Sequence, residues 1–227
     1  MFAVQTELAE TVADKIGGYY SGTLVAAGQE AAKRKRPQDL TAYDLYLLGM
    51  EAKHRGTREG MEQGIDLLKR SLAIDPGFAR AWTGLFWASY GLSGLVEETP
   101  EVRKAREDAA RRAVELDPED AEARVALATI YGDAGDLGHA EAEFDKALRL
   151  SPNSADLLAI YADWAYHFGK PEAGVEAAER AMRLNPNTPQ WAFSNFSRAY
   201  FSAGRYEEAL RMLDRVPREA YLRNDLV

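Results

Sequence analysis

The order of bulky, small and polar side chains repeats along the chain with a period of 34 residues. Pro118, Pro152 and Pro186 mark this period, since each closes a similar phrase: AVELDPE, ALRLSPN and AMRLNPN. Between these prolines, apolar residues recur at three- and four-residue spacings in two stretches, which is the spacing of one helix face. Gly135 and Gly169 stand between the two stretches. The pattern therefore predicts antiparallel helix pairs, each joined by a glycine-containing turn.

Small and aromatic residues occupy fixed positions within each unit. Two helices packed 8–10 Å apart need small side chains where their backbones approach. Such residues are Ala128, Ala140, Ala147, Ala162, Gly174 and Ala181, while Tyr131, Phe144, Tyr161 and Tyr200 supply bulk between neighbouring pairs. Helix starts are predicted at a Thr41/Asp44 capping box, at Ser154 and at Thr188 followed by Pro189. Arg124 departs from the pattern, because the other units have a bulky apolar residue there.

We expect five helix-pair repeats, at about residues 38–78, 79–120, 121–154, 155–188 and 189–220. The first two units are stretched, by about three residues near HRGTREG and by eight in GLSGLVEETP. A truncated further helix is expected at 221–227, which places the array at 38–227. Residues 1–36 are expected to form an N-terminal helical segment, the end of an upstream domain or a linker. Within it, apolar residues recur every fourth position at Val4, Leu8, Val12, Ile16 and Tyr20.

A period of 34 residues resembles that of the tetratricopeptide repeat, a helix–turn–helix unit. The resemblance implies an all-α fold, a right-handed superhelix of antiparallel helix pairs. The function of such a superhelix usually lies on the groove formed by the first helix of each pair. The candidate groove residues are Tyr46, Arg80, Trp87, Tyr90, Asp163, Tyr166, Trp191 and Arg198. Aromatic and arginine side chains dominate interface energies. The alternative is that these rings only pack between repeats.

Composition narrows the classes of function. The net charge of −8 argues against a nucleic-acid-binding surface, which is normally basic. Cysteine is absent, so disulfides and thiolate chemistry are excluded. No apolar run approaches the roughly 20 residues of a membrane span, and no signal peptide is present, so we expect a cytoplasmic protein. The basic run Lys33–Arg36 is either a contact for an anionic partner or a solvated helix end.

No catalytic motif occurs in the sequence. The three histidines, His54, His139 and His167, are isolated, and none forms the paired spacing of a zinc site. A nucleophile elbow, a P-loop and a dinucleotide-binding glycine motif are all absent. The sequence therefore predicts no catalytic, cofactor-binding or metal-binding residues and no enzyme activity for this stretch of chain.

A second resemblance concerns the protein context. The opening FAVQTELAETVADKI, followed by KRKRPQDLTAYDLYLLG and the repeats, resembles the C-terminal region of class III adenylate/guanylate cyclases of the rhizobial type. In that family a cyclase domain precedes a TolB-like segment and then the repeats. Some winged-helix transcriptional regulators share the same tail. The resemblance implies a fragment of a bacterial signalling protein, with a protein, a peptide or another domain of the same chain as partner. The alternative function is self-association as a homodimer.

Overall fold

The structure is a computed structural model, and it describes residues 23–216. Its regular structure in that range is entirely helical, as the sequence predicts. The eleven α-helices within this range are α1 Thr23–Lys33, α2 Ala42–His54, α3 Arg58–Ile74, α4 Ala79–Ser93, α5 Pro100–Leu116, α6 Ala121–Asp133, α7 Leu137–Leu150, α8 Ala155–Trp164, α9 Pro171–Leu184, α10 Gln190–Ser202 and α11 Tyr206–Leu213. The amphipathic pattern of Val4 to Tyr20 and the truncated helix at 221–227 lie outside the described residues.

Ten of these helices form five consecutive pairs. The first helices are α2, α4, α6, α8 and α10, and the second helices are α3, α5, α7, α9 and α11. Each first helix packs against the second helix that follows it, and successive pairs stack on one another. The expected all-α superhelix of antiparallel pairs is confirmed.

Small residues allow the helices of a pair to approach closely. Ala128, Ala140 and Ala147 are completely buried in the third pair. In the fourth pair, a methyl group added at Gly174 would lie 2.8 Å from the carbonyl oxygen of Ala162. Close-packed interiors do not tolerate such an overlap without a shift of the backbone. The small-residue positions predicted from the sequence therefore mark real helix crossings.

The turn in four of the five pairs depends on a left-handed glycine, whereas the connection between α4 and α5 begins at Gly94 with a φ of −74°. Gly56, Gly135, Gly169 and Gly204 have φ values of 66°, 77°, 71° and 75°. This conformation carries little steric cost for glycine, whereas a Cβ atom destabilises it. These glycines reverse the chain between the first and the second helix.

Two of the three predicted helix caps are confirmed. The Thr41 hydroxyl accepts a hydrogen bond from the Asp44 amide, and the Asp44 carboxylate accepts one from the Thr41 amide, which completes the capping box. Ser154 caps α8 by accepting from the Leu157 amide. The prediction for α10 is wrong: the helix begins at Gln190, and the Thr188 hydroxyl donates to the Asn185 carbonyl at 2.8 Å. Thr188 therefore stabilises the preceding turn and not the helix start.

Arg124 performs the same local role as a tryptophan in the previous repeat. The indole Nε1–H of Trp82 donates to the carbonyl oxygen of Pro76 at 2.9 Å. The Nε–H of Arg124 donates to the carbonyl oxygen of Pro118, also at 2.9 Å. Both bonds tie a first helix back to the proline that ends the previous repeat. A side chain that breaks the apolar pattern thus preserves the hydrogen bond.

Candidate functional site

The first helices bring polar and aromatic groups together on one face, which we call the groove. Arg198 of α10 makes a two-pronged ion pair with Asp163 of α8, and its second nitrogen lies 2.9 Å from Oδ2. The hydroxyl of Tyr90, on α4, is close enough to this ion pair to be affected by both of its charges. The carboxylate of Asp133, on α6, also acts on it. Four successive first helices therefore share this face.

The middle of the groove contains an aromatic cluster on α4. The ring of Trp87 packs edge-on against Phe86 at 4.9 Å and against Tyr90 at 5.9 Å. Burial, followed by the nearby Asp133 carboxylate, raises the pKa of Tyr90 to about 12, so its hydroxyl remains a donor at neutral pH. The indole Nε1 of Trp87 is buried and has no acceptor in the described part of the chain. Both predicted rings contribute to packing and also lie at the groove.

The far end of the groove exposes large aromatic surfaces. Tyr166 is 40% exposed and Trp191 39% exposed, and Phe201, at the end of α10, is 64% exposed. Tyr166 follows α8 in a short 3-10 turn, and its ring centre lies 3.8 Å from that of His167, with the two rings tilted by 34°. An exposed aromatic group flanked by polar side chains is typical of a surface that contacts another molecule.

Two of the eight predicted groove residues, Tyr46 and Arg80, lie apart from the other six. Tyr46 is only 4% exposed and packs against Phe78 at 5.1 Å, so it has little surface to offer a ligand. Tyr43, one helical turn earlier, is 52% exposed and lies on the same aromatic group. Arg80 is exposed at the start of α4, where its positive charge acts on Asp120. The structure thus brings together Trp87, Tyr90, Asp163 and Arg198 most closely.

Three charged side chains are buried on the first helices. Lys53 of α2, Glu122 of α6 and Asp156 of α8 are 8%, 7% and 9% exposed. Burial lowers the pKa of Lys53 to about 8, and the two carboxylates oppose this shift. The repeat pattern places all three on the groove side, but it does not indicate that they are buried near one another. Charge burial depends on packing between repeats.

A charged pocket, lined by residues from α4, α5, α6 and the α4–α5 connection, lies beside the groove. It has a volume of about 610 Å³ and shares Tyr90 with the groove. Arg106 is 6% exposed, and its guanidinium lies 5.0 Å from the Tyr90 ring. It also lies 3.4 Å from Glu98 and 3.6 Å from Asp133. The only signal for this pocket in the sequence is the extra length of GLSGLVEETP.

The basic run after α1 is largely paired with carboxylates. Lys33 contacts Glu30 and Glu51, at 2.8 and 2.7 Å. Lys35 contacts Asp44 at 2.7 Å, and Arg36 contacts Asp39 at 2.7 Å. These pairs attach the segment to α2 and the turn before it. They favour a structural role over an anionic partner.

Residues 23–216 contain no group of three or more His, Cys, Asp or Glu side chains placed to hold a metal ion. They also contain no helix that is both long and apolar enough to cross a bilayer.

Two segments match models of the tetratricopeptide repeat. Residues 121–154 match one model and residues 165–224 match another. These two segments are therefore similar to tetratricopeptide repeats, as expected from the 34-residue period, and the stacked helix pairs agree with that similarity. Such repeats indicate a scaffold for protein–protein interaction.

The chain is also similar to individual proteins. The small glutamine-rich tetratricopeptide repeat-containing protein 2 of Mycosarcoma maydis is 32% identical over 77 residues, which are 34% of this chain and 22% of that protein. The chain therefore matches about a fifth of this relative's length.

Solved structures show the same fold at lower identity. A thermophilic tetratricopeptide-repeat protein of Thermus thermophilus has a TM-score of 0.59 at 19% identity, over 91% of this chain and 98% of that chain. Human IFIT1, in a dimer with m7Gppp-AAAA, has a TM-score of 0.65 at 17% identity, over 84% and 46% of the two chains. At these identities the likeness shows the fold alone.

Proposed function

We propose that this chain is a non-catalytic interaction module whose groove binds a peptide or helix of a protein partner. The observation that carries the proposal is that the two first helices joined by the Asp163–Arg198 ion pair also expose aromatic rings: Tyr166 just after α8 and Trp191 in the first turn of α10. Aromatic rings bury a large area at small entropic cost, and arginine offers several donors to backbone carbonyls. This combination favours a partner segment with apolar anchors and polar flanks.

The charge of the groove favours a protein partner over a nucleic acid. Arg198 is neutralised by Asp163, and Lys53 lies near Glu122 and Asp156. Nucleic-acid surfaces instead present unpaired lysine and arginine to the phosphates. The balance of both signs in the groove, on a chain of net charge −8, supports peptide recognition.

A display library of random 16-residue peptides tests this function. The full chain is the target, and selected peptides are then measured by fluorescence anisotropy. The triple variant Trp87→Ala, Tyr90→Ala, Trp191→Ala should abolish binding. Because Trp87 also contacts the core, Trp191→Ala alone is the cleaner variant, and we expect it to weaken binding at least about tenfold.

The matched control is Leu137→Ala, because Leu137 is 38% exposed, like Trp191, but lies on a second helix, α7. It should leave binding unchanged. Circular dichroism checks that each variant keeps the helix content of the original chain. Failure to select any peptide, or equal losses in Trp191→Ala and Leu137→Ala, would contradict the groove assignment.

The context that we propose is the regulatory region of a cytoplasmic signalling protein of the adenylate/guanylate cyclase type. Support comes from the phrases FAVQTELAETVADKI and AYDLYLLG before and within the first repeat. The tail of a winged-helix transcriptional regulator is the alternative. An antibody raised against this chain should detect a band far heavier than 25.2 kDa in the source cells. A band near that mass would refute the context but not the binding function.

Self-association is the second candidate function. Tyr206 and Leu210 on α11 are 60% and 62% exposed, which leaves an apolar surface at the last described pair. Light scattering at increasing protein concentration should then show a dimer, and Leu210→Glu should return it to a monomer. A monomer at all concentrations would reject this candidate.

A further inference from the structure

The charged pocket beside the groove contains a buried arginine whose hydrogen-bonding capacity is only partly used. Arg106 is 6% exposed, and one of its terminal nitrogens donates to the Ser93 hydroxyl at 3.0 Å. The terminal nitrogens lie 3.4 Å from Glu98 and 3.6 Å from Asp133, whereas charge-assisted hydrogen bonds to a carboxylate measure about 2.7–2.9 Å. The Nε atom is buried and has no acceptor in the described part of the chain. This guanidinium therefore has donors left for a further carboxylate.

Negative charge is in excess on the walls of the same pocket. Glu98, Glu107 and Asp133 line it together with Arg103 and Arg106. The two arginines share Glu98, at 3.1 and 3.4 Å. Burial raises the pKa of Asp133, and the carboxylates of Glu98 and Glu107 raise it further, while the arginines oppose the shift. A second positive charge beside Asp133 would therefore be favourable.

The connection between α4 and α5 forms part of the pocket wall. Ser93, Gly94 and Glu98 line the pocket, and all three belong to the stretched phrase GLSGLVEETP. The other four helix pairs turn instead at a left-handed glycine. The feature that sets this pair apart in the sequence thus contributes directly to the cavity.

The arrangement of charges indicates the class of ligand. Arg106 and Asp133 are 3.6 Å apart, so a molecule that contacts both must carry its carboxylate and its ammonium group close together. An α-amino acid does so, because both groups are bonded to the same carbon. The apolar residues Ile130 and Ala134 also line the pocket. Its volume of about 610 Å³ falls in the range of about 300–1,000 Å³ that is typical of small-molecule sites.

We propose that this pocket binds a free α-amino acid with an aliphatic side chain. Arg103 and Arg106 bind the carboxylate of the amino acid. Asp133 and Glu107 bind its ammonium group, and Ile130 contacts its side chain. The site lies on α4, α5, α6 and the α4–α5 connection, away from the exposed aromatic rings at the far end of the groove. The inference goes beyond the proposed peptide binding and does not depend on it.

Isothermal titration calorimetry of the full chain with leucine tests this site. Two analogues of leucine separate its charged groups: isocaproic acid lacks the amine, and isoamylamine lacks the carboxylate. We expect leucine to bind and each analogue to bind at least about tenfold more weakly, because each leaves one charged side of the pocket without its partner.

Two variants distinguish the roles of the pocket walls. Asp133→Asn keeps the shape of the side chain but removes its charge, so it should weaken leucine binding at least about tenfold and leave isocaproic acid binding as strong or stronger. Arg106→Lys keeps the charge but loses the planar fork, so it should weaken the binding of both ligands. Asp133 is 39% exposed, so Asp133→Asn is the variant that should fold even if Arg106→Lys does not.

The matched control is Asp108→Asn, because it makes the same substitution on α5 at a side chain that is 62% exposed and does not line the pocket. It should bind leucine like the original chain. Circular dichroism checks that each variant keeps its helix content. Equal losses in Asp133→Asn and Asp108→Asn, or no loss in Asp133→Asn, would overturn the proposed site.

The titrations also test the class of ligand. No saturable heat with leucine up to about 10 mM would overturn the proposal, because a ligand of this size reaches about millimolar affinity in a well-formed pocket. Equal binding of leucine and isoamylamine would overturn it in favour of a simple cation site, and equal binding of isocaproic acid in favour of an anion site. Peptide selection by the groove is measured separately, so failure of either function leaves the other standing.

Discussion

A methyl group at Gly132 should destabilise the array, although alanine is the better helix former. Gly132 lies in the last turn of α6, on the groove side. An added Cβ atom would overlap the outer atoms of the Trp164 ring, and even Cε3, the third nearest, would be 3.1 Å away. The ring cannot easily move aside, because it contacts Phe144, Phe168 and His167 at ring-centre distances of 6.0, 6.5 and 5.1 Å.

Two opposing effects determine the magnitude. Moving the ring by about 1 Å to recover an ordinary carbon–carbon contact costs about 1–3 kcal/mol, as for other overpacked sites. Replacing a helical glycine by alanine gains at most about 1 kcal/mol, and less in a final turn. The overlap prevails, so we expect a net loss of about 1–2 kcal/mol. For a chain of this size, that lowers the melting temperature by roughly 2–8 °C.

The assay is thermal unfolding followed by far-UV circular dichroism, with Gly138→Ala as the matched control. Gly138 lies in the first turn of α7, and an added Cβ atom there would have no neighbour within 4 Å. Only the gain in helix propensity remains, so the melting temperature should rise by up to about 4 °C. An increase in both variants would refute the claim that Trp164 limits the space at Gly132.

Three further outcomes can be measured by urea unfolding. The pKa of buried Lys53, lowered to about 8, means that the folded chain resists its protonation. As the pH is lowered from 10.5 to 8, the free energy of unfolding should therefore fall by up to about 3 kcal/mol, and below pH 8 it should change no further. The variant Lys53→Met should remove this pH dependence. Arg124→Leu should cost about 1–2 kcal/mol at pH 7, because Arg124 pairs with the buried Glu143 at 2.7 Å. Burial raises the pKa of Glu143, but the hydrogen bonds from Lys146 and Arg124 outweigh burial and lower it. The contribution of Arg124 to the free energy of unfolding should therefore shrink as the pH falls below about 4.5. A double-mutant cycle on Asp163 and Arg198 should give a coupling of about 0.5–1 kcal/mol, and a value of zero would show that the pair does not link α8 to α10.

The helix pairs and their turns could be predicted from local residue patterns. Gly135, Gly169 and Gly204 stand where the chain must reverse, and the small residues at Ala140 and Ala147 stand where helices cross. These features depend on interactions within one repeat, so a 34-residue window contains all the information they require. The misplaced cap at Thr188 shows the limit of such reasoning, because its hydroxyl had a second acceptor in the preceding turn.

The state of each candidate groove residue depends on several repeats at once. The sequence pattern places both Tyr46 and Trp191 on the groove side, yet the first is 4% and the second 39% exposed. The neighbours that decide this lie where two helix pairs meet: Phe78, which packs on Tyr46, is the N-cap residue of α4. Whether these residues bind a partner stays a prediction that the peptide experiments test.

The sequence by itself determined the all-α class, the repeat period and the turns, because short-range spacing and glycine stereochemistry carry that information. Only the tertiary structure decided that Lys53, Glu122 and Asp156 are buried near one another, and that Arg106, Glu98 and Asp133 line a pocket. Each of these groups combines side chains from different helix pairs. Their proximity follows from how successive pairs stack, and stacking sums many weak contacts that no single repeat contains.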